Sequence, residues 1–560
     1  MEIDRQIEYD IRNFISDLND KEINKRIKDL LKKEFFNFSK YELLCYSLIA
    51  IENEFKLDTY REGSMHQNAA NSRVILEWFL KFLLTHKIRK TKFIYDENKY
   101  KKFNNCIPTL TSICVNYLIN EKFKQKRGIN KIKIEINEKG EYYFINPTIY
   151  DKVDCQDTYF YERYLDKEEV RNEELVKGLA VVKIFEKYFS GKSEIKIADF
   201  FSLNTIDNEI YSLCKENIRV DIDKMGCGFE SKIFSDKENI INILGAFMYI
   251  SKLFIIENDM KSVIPAKIVL FEEPIVISKH KLVKIIKKFV CMQEEDIDII
   301  INYFTINNDL KWGMNEYPLI NIDEFILWIP SSFIANDFQF SIVNGHYEKQ
   351  ITIINKDKTV SQSVVDKIVL ECSKYSNIIV TSEKEYFDKN NLFNGKELKS
   401  DIDIALYDSI SNTVLIIECK WKEKLYIKGE KYDKICDDIN KIFSNQLEKH
   451  KCFLSLDINN IDLIFNNSES VKNRPYYPIK IQYIMVDKRI QLHYDGKHTL
   501  SEFNFLKIIK ENSINNILKL ENVISYINTL NTEVKYSVGK SKSIIEYGNK
   551  RINNSLFDLI

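Results

Sequence analysis

The feature that most constrains this chain is the run "SDIDIALYDSISNTVLIIECKWK", Ser400 to Lys422. Two apolar stretches of strand length flank a polar turn. Each carries acids where a packed strand would hold another aliphatic side chain. Side chains alternate across a strand with period two. That alternation sets Ile402, Ile404 and Leu406 against Asp401, Asp403 and Ala405 in the first strand. In the second it sets Leu415, Ile417, Cys419 and Trp421 against Ile416, Glu418, Lys420 and Lys422. Each strand is therefore expected to have an apolar face and a polar, acid-bearing face. A hairpin loop centred on Ile410 and Ser411, counted outward, puts Asp403 opposite Glu418 and Asp401 opposite Lys420. Directly opposed Cβ atoms lie about 4.5–5.5 Å apart. Two carboxylates that close repel, and one pKa rises unless a cation sits between them. A hard divalent cation such as Mg2+ takes oxygen ligands and removes the conflict. The expectation is a pair of strands built to hold a metal. A rival stretch, "RVDIDKMGCGFESK", could set Asp223 against Glu230 with Lys232 following. It lacks an apolar run before the E-x-K, and its strands would be only about three residues long.

The rest of the composition narrows the class without naming a partner. The 560 residues are enough for about two to four domains, each with its own core. With 82 Lys+Arg against 83 Asp+Glu, no global field marks a polyanionic partner, so a nucleic-acid surface must be a local patch. The 11 cysteines form no CxxC pair, and the 7 histidines do not flank them at zinc-ligand spacing, which excludes a zinc-finger framework. Cys45, Cys114 and Cys372 lie in apolar surroundings and read as reduced core thiols. The polar opening "MEIDRQIEYDIRNF" is no signal peptide. "VILEWFLKFLL" and "ILGAFMYISKLFII" are interrupted by Glu77, Lys81 and Lys252 and read as too short for a bilayer. A cytoplasmic protein with no membrane partner is expected.

The fold class expected is multidomain α+β. Residues 1–125 read as a helical region, with apolar residues at three- and four-residue steps. Residues 126–355 read as a mixed α/β region for recognition, assembly or regulation. It opens on "KIKIEINEKGEYYFINP", a hairpin about Lys139-Gly140, and holds a strand pair in "YPLINIDEFILWIP". Residues 356–500 carry the order α-β-β-β-α-β: helix Ser361–Tyr375, with Ser361 or Ser363 as N-cap, strands "NIIVTS", "DIDIALYD" and "TVLIIECKW", a long helix, and "IKIQYIMVD". Residues 501–560 read as a helical segment and polar tail. "SGKS" and "VGKS" lack the first glycine of a phosphate loop. His493 and His498 flank a "YDGK" turn and read as a surface loop.

In this context the 356–500 region, with its I-D…E-C-K spacing, resembles the PD-(D/E)xK phosphodiesterase superfamily, the restriction-endonuclease-like fold. Ile402 stands where that family often has proline. The resemblance implies catalytic residues Asp403, Glu418 and Lys420, and a metal held by Asp403, Glu418 and the backbone carbonyl of Cys419. The metal implied is Mg2+, with Mn2+ as a substitute. Asp366 and Glu371 are the candidates for a further upstream acid. "QLEKH" offers Gln446 for the family's Q-x-x-x-Y pattern, with His450 in place of tyrosine. Beyond the site, "KWKEKLYIKGEKYDK" gathers Lys422, Lys424, Lys428 and Lys431 with Trp421, Tyr426 and Tyr432, a patch suited to a phosphate backbone. The function expected is a metal-dependent endonuclease on nucleic acid, DNA first, in bacterial restriction or anti-phage defence. Its expected partners are DNA and either a second copy or another protein of the same system. The alternatives are a non-cleaving nucleic-acid scaffold and a structure-specific DNA repair nuclease.

Overall fold

In the computed structural model, residues 3–554 are described apart from 60–66, 125–130, 151–205, 262–268, 307–312, 357–360, 422–436, 474–477, 531–532, 539–542 and a few isolated positions. The chain is mixed α/β, with a helical N-terminal region and several sheets. It divides into two compact units, neither continuous in sequence. One holds Met1–Ser16, Glu121–Thr158 and Asn355–Ile560; the other holds Asp17–Asn120 and Tyr159–Ile354.

The second of these units is mostly helical. Its helix Lys237–Met260 is capped by Asp236, whose carboxylate accepts from the Glu238 amide. By length and composition Lys237–Asp259 could cross a membrane, so the expectation that this stretch is too short does not hold. In the structure 78% of that apolar window is buried, as befits a helix apolar on every side at the centre of a core. The rival acid pair does not form. Ile210, Cys214, Ile218 and Ile222, four apart, bury one face of helix Asn208–Asp223. Asp223 ends that helix and pairs with Lys237, while Glu230 lies in the short strand Phe229–Ser231. Ile320–Ile322 and Phe325–Trp328 form the expected antiparallel pair.

In the other unit the hairpin Lys133–Ile136 and Tyr142–Tyr150 turns at Gly140, whose φ of 78° favours glycine. The last 60 residues depart from the expected helical segment and polar tail. Helices are present, but Glu533–Val538, Ser543–Tyr547 and Lys550–Asn554 are strands of the same sheet as that hairpin. Their polar alternate positions give a tail-like composition, while Ile552 is fully buried.

The 356–530 part of this unit is a six-stranded sheet between two apolar layers. In chain order the sheet strands and the main helices are α1 (Gln362–Cys372), β1 (Ile378–Phe393), β2 (Lys396–Asp408), β3 (Thr413–Lys420), α2 (Glu448–Leu456), β4 (Lys480–Asp487), β5 (Leu492–Tyr494), β6 (Lys497–Ser501), α3 (Glu502–Glu511) and α4 (Leu520–Thr529). The spatial order is β5-β6-β4-β3-β2-β1, with β3 antiparallel to β2 and parallel to β4. Ser361 occupies the N-cap of α1, but its hydroxyl makes no capping bond. β1 and β2 run far beyond "NIIVTS" and "DIDIALYD". They meet at Asn394-Gly395, both with positive φ, 52° and 77°, the conformation a type I′ hairpin requires.

One layer joins Val364, Val365, Ile368 and Cys372 of α1 to Ile404, Leu406, Leu415 and Ile417, together with Phe505, Ile509, Val523 and Ile527 of α3 and α4. This core therefore extends well past residue 500. The opposite layer joins Ile402, Ala405, Tyr407, Val414 and Ile416 to Leu447, Phe453 and Leu454. With helices on both sides, every residue of β3 except Lys420 is buried. Each aliphatic side chain so buried contributes about 1.5–3 kcal/mol.

Candidate active site

The turn between β2 and β3 sets the register of the site. Asp408 accepts from the Ile410 amide at 2.9 Å and the Ser411 hydroxyl at 2.7 Å, and Asn412, at φ 50°, accepts from the Tyr407 hydroxyl at 3.1 Å. These bonds fix a four-residue loop, and loop length fixes pairing. The ladder runs from Thr413↔Asp408 to Ile417↔Ile404, the register counted from the sequence, and stops there. The next pair outward would be Asp403 and Glu418.

The strands open at this point because β2 is also broken on its other side. Pairing with β1 includes Ser382↔Ile404 and Lys384↔Ile402 but skips Glu383 and Asp403. Glu383 is left-handed, φ 51°, at a cost of about 1–2 kcal/mol for a residue with a Cβ. The break reverses the alternation. Ile404 packs on the α1 side and Ile402 on the other, so the expected grouping of those two does not hold. Nor is there a polar face. Both acids stand just past the end of the β2–β3 ladder, although Glu418 still pairs with Met485 of β4.

At this point the freed backbone is used. Asp403 Oδ2 accepts from the Cys419 amide at 2.7 Å, replacing a ladder bond. Lys420 Nζ donates to Glu418 Oε1 at 2.5 Å and approaches Asp403 Oδ2 at 3.5 Å. Glu418 Oε2 is 3.3 Å from His450 Nε2, and His450 Nδ1 is 2.9 Å from the Tyr386 hydroxyl. The end of β3 is pinned by the Lys488 amide, which donates to the Lys420 carbonyl at 2.9 Å. The Lys488 ammonium donates to both oxygens of buried Glu502, at 2.9 and 3.0 Å.

The charges are unevenly satisfied. Burial, then the neighbouring Glu418 charge, pushes the Asp403 carboxyl up to about 7. Burial also pushes Glu418 up, but the His450 hydrogen bond and the Lys420 charge outweigh it and hold the carboxyl below its ordinary value. Burial works against the Lys420 charge, yet Glu418 and Asp403 more than offset it and raise the ammonium above its usual range. One ammonium thus serves two carboxylates, and Asp403 carries the shortfall. Among the described residues no three or more His, Cys, Asp or Glu side chains are grouped to hold a metal ion. Two carboxylates short of one positive charge nevertheless suit Mg2+, which takes one or two carboxylates and keeps several waters. Cys419 meets Asp403 through its N–H.

The remaining site candidates are placed as follows. Asp366 is exposed and accepts from Gln362 at 2.9 Å. Glu371 accepts from Lys374 at 2.7 Å and Tyr375 at 3.0 Å. Both acids are thus engaged within or just past α1, and neither bonds to the site residues, because the helix turns its aliphatic face to the sheet. Gln446 is half-buried in a π-helical turn, Ile442–Leu447, and makes none of these bonds. One turn later, at the start of α2, His450 is fully buried and does. Asp401 is exposed and pairs with Glu385 of β1, and on its β3 side it has no ladder partner. The ladder that would have joined it to Lys420 ends at Ile404. Lys422, Lys424, Lys428 and Lys431 lie outside the described residues.

His493 and His498 form a buried cross-strand pair, Nδ1 to Nδ1 3.3 Å, and not the surface loop expected. The turn between them is short, so both rings fall within the covered part of β5 and β6. Burial, then His498, pushes His493 down to about 3. Cys45, Cys114 and Cys372 are buried free thiols. Tyr386 was not anticipated at all. Its signal was Asn394-Gly395, which marks a hairpin and so extends β1 through residue 386. Comparisons with protein families, curated proteins and solved structures find no match for this chain.

Proposed function

We propose that the 356–530 region holds a PD-(D/E)xK nuclease domain, that the chain is a Mg2+-dependent endonuclease, and that Asp403, Glu418 and Lys420 are its catalytic residues. One observation carries this reading: the buried Glu418, the half-buried Asp403 and a lysine converge where β2 and β3 part, with one acid left short of a counter-charge. A structural ion pair needs one acid; a second acid beside it raises the energy of the folded chain unless another cation arrives.

Asp403 and Glu418 would hold the metal, Mg2+ or Mn2+. When bound, it lowers the pKa of a water and neutralises charge on the phosphate. The chain's own residues do the rest. Asp403 is fixed by the Cys419 amide. Glu418 is fixed from behind by His450. Lys420 is the donor available for the charge that develops on the scissile phosphate, or for orienting the attacking water. Fixed donors of this kind act at full strength because they need not reorganise during reaction. The proposed substrate is DNA, the location cytoplasmic, and the biological setting bacterial restriction or anti-phage defence, which rests on analogy with the family. Incubating the purified chain with plasmid, single-stranded DNA and RNA, with Mg2+ or EDTA, tests this reading. Metal-dependent cleavage of DNA is expected. Metal-dependent binding of DNA without cleavage would replace it with a scaffold.

A further inference from the structure

Within that reading, we propose that His450 is a positioning residue: through a buried chain from the Tyr386 hydroxyl it fixes one oxygen of Glu418 and leaves the other to meet the cation. An ionised carboxylate only accepts, so His450 Nε2 must carry the proton it shares with Glu418 Oε2. In the neutral ring Nδ1 is then an acceptor, and the Tyr386 hydroxyl, 2.9 Å away, donates to it. Tyr386 is itself fixed. Its ring stacks on Phe453 of α2 at 4.1 Å and 15°, within the buried layer that covers that face of the sheet. The His450 side chain has no solvent exposure, and Glu418 has 3%. Oε2 is therefore held by the imidazole, and Oε1 is met by Lys420, whose ammonium also approaches Asp403.

Groups that hold a ligating carboxylate in this way are worth about 10–100-fold in metal affinity. The donor atom, not the bulk of the ring, carries the effect, and that separates this role from packing. A glutamine amide can reach the position of Nε2, whereas an asparagine amide reaches only that of Nδ1.

The test is Mn2+ affinity of the full chain without nucleic acid, read from the electron paramagnetic resonance signal of free Mn2+. The set comprises wild type, His450→Gln, His450→Asn, His450→Ala, Tyr386→Phe, and Glu418→Gln as the ligand control. His450→Gln is expected within a few-fold of wild type and His450→Asn and His450→Ala about 10–100-fold weaker. Tyr386→Phe should fall between. In selectively labelled protein, the His450 15N shifts should report a proton on Nε2, and Tyr386→Phe should erode that preference. Equal affinities for the Gln and Asn variants, an unimpaired His450→Ala, or a ring without a proton on Nε2 would overturn the proposal while leaving the metal site standing. Wild type that binds no Mn2+, or a Glu418→Gln variant that binds as well as wild type, would overturn the metal site itself, and this role with it.

Discussion

Replacing Asp403 by asparagine is expected to stabilise the metal-free protein above neutral pH. The Asp403 carboxyl is raised from 3.8 to about 7 by burial and by Glu418. At 1.36 kcal/mol per pKa unit this rise corresponds to about 4 kcal/mol. Because the folded-state pKa lies above the unfolded one, the folded chain holds this proton more tightly. The associated stability is complete below about pH 4 and is lost as pH rises through about 7. Asparagine keeps an oxygen for the Cys419 amide and carries no charge to repel Glu418. It also gives up the attraction of Lys420, so the net gain at pH 8 should be about 1–3 kcal/mol, and it should vanish by pH 4. A single melting temperature is not well defined for a chain of two units. The assay is therefore hydrogen exchange of peptides covering Thr413–Lys420, in EDTA, at pH values spanning 5 to 8 and corrected for intrinsic rates. Protection in Asp403→Asn should exceed wild type at pH 8 and converge toward it at pH 5. Added Mg2+ should protect wild type and not the variant. A variant less protected than wild type at pH 8, or an advantage that does not shrink on acidification, would refute the electrostatic reasoning.

Lys420→Ala should lose about a hundredfold or more in single-turnover cleavage, the scale of removing a donor aimed at developing charge, while Mn2+ affinity largely survives. Lys420→Arg separates its two roles: partial activity if the cation only stabilises phosphate charge, near inactivity if a compact ammonium must approach the water. Asp401→Ala should keep cleavage within a few-fold of wild type, because Asp401 lies on the exposed β1–β2 arm opposite Glu385. A defect as deep as that of Asp403→Ala would show that the rim of the sheet is wrongly described.

The register of β2 and β3 was legible because a polar four-residue loop and two apolar runs leave one pairing that buries both strands. The acids, the lysine and their approach followed from it. The face assignment failed at Ile402, because strict alternation has no term for a left-handed Glu383 and the unpaired position opposite it. That local break is what frees Asp403 to accept from Cys419. The expectation of a polar face failed for a related reason. Period-two lettering cannot tell a half-solvated sheet from one covered on both sides, where every position before the rim is apolar. Asp366 and Glu371 were reasonable by residue type, but Asp366 is exposed and Glu371 is taken up by Lys374 and Tyr375 at the end of α1, a distinction that needs the helix's docking and not only its sequence. His450 was read as a departure from a tyrosine pattern. Its pairing with Tyr386 depends on a hairpin arm that Asn394-Gly395 announces and that brings residues 64 apart together.

The most direct measurement of the central claim is the single-turnover rate of DNA cleavage as Mg2+ is raised from zero, for wild type and for Asp403→Ala and Glu418→Ala. Wild-type cleavage should rise from nothing in EDTA to a metal-saturated plateau, and both variants, folded by circular dichroism, should stay at the EDTA level. Wild type that cuts no DNA at any Mg2+ or Mn2+ concentration, or variants that cut at the wild-type rate, would contradict it.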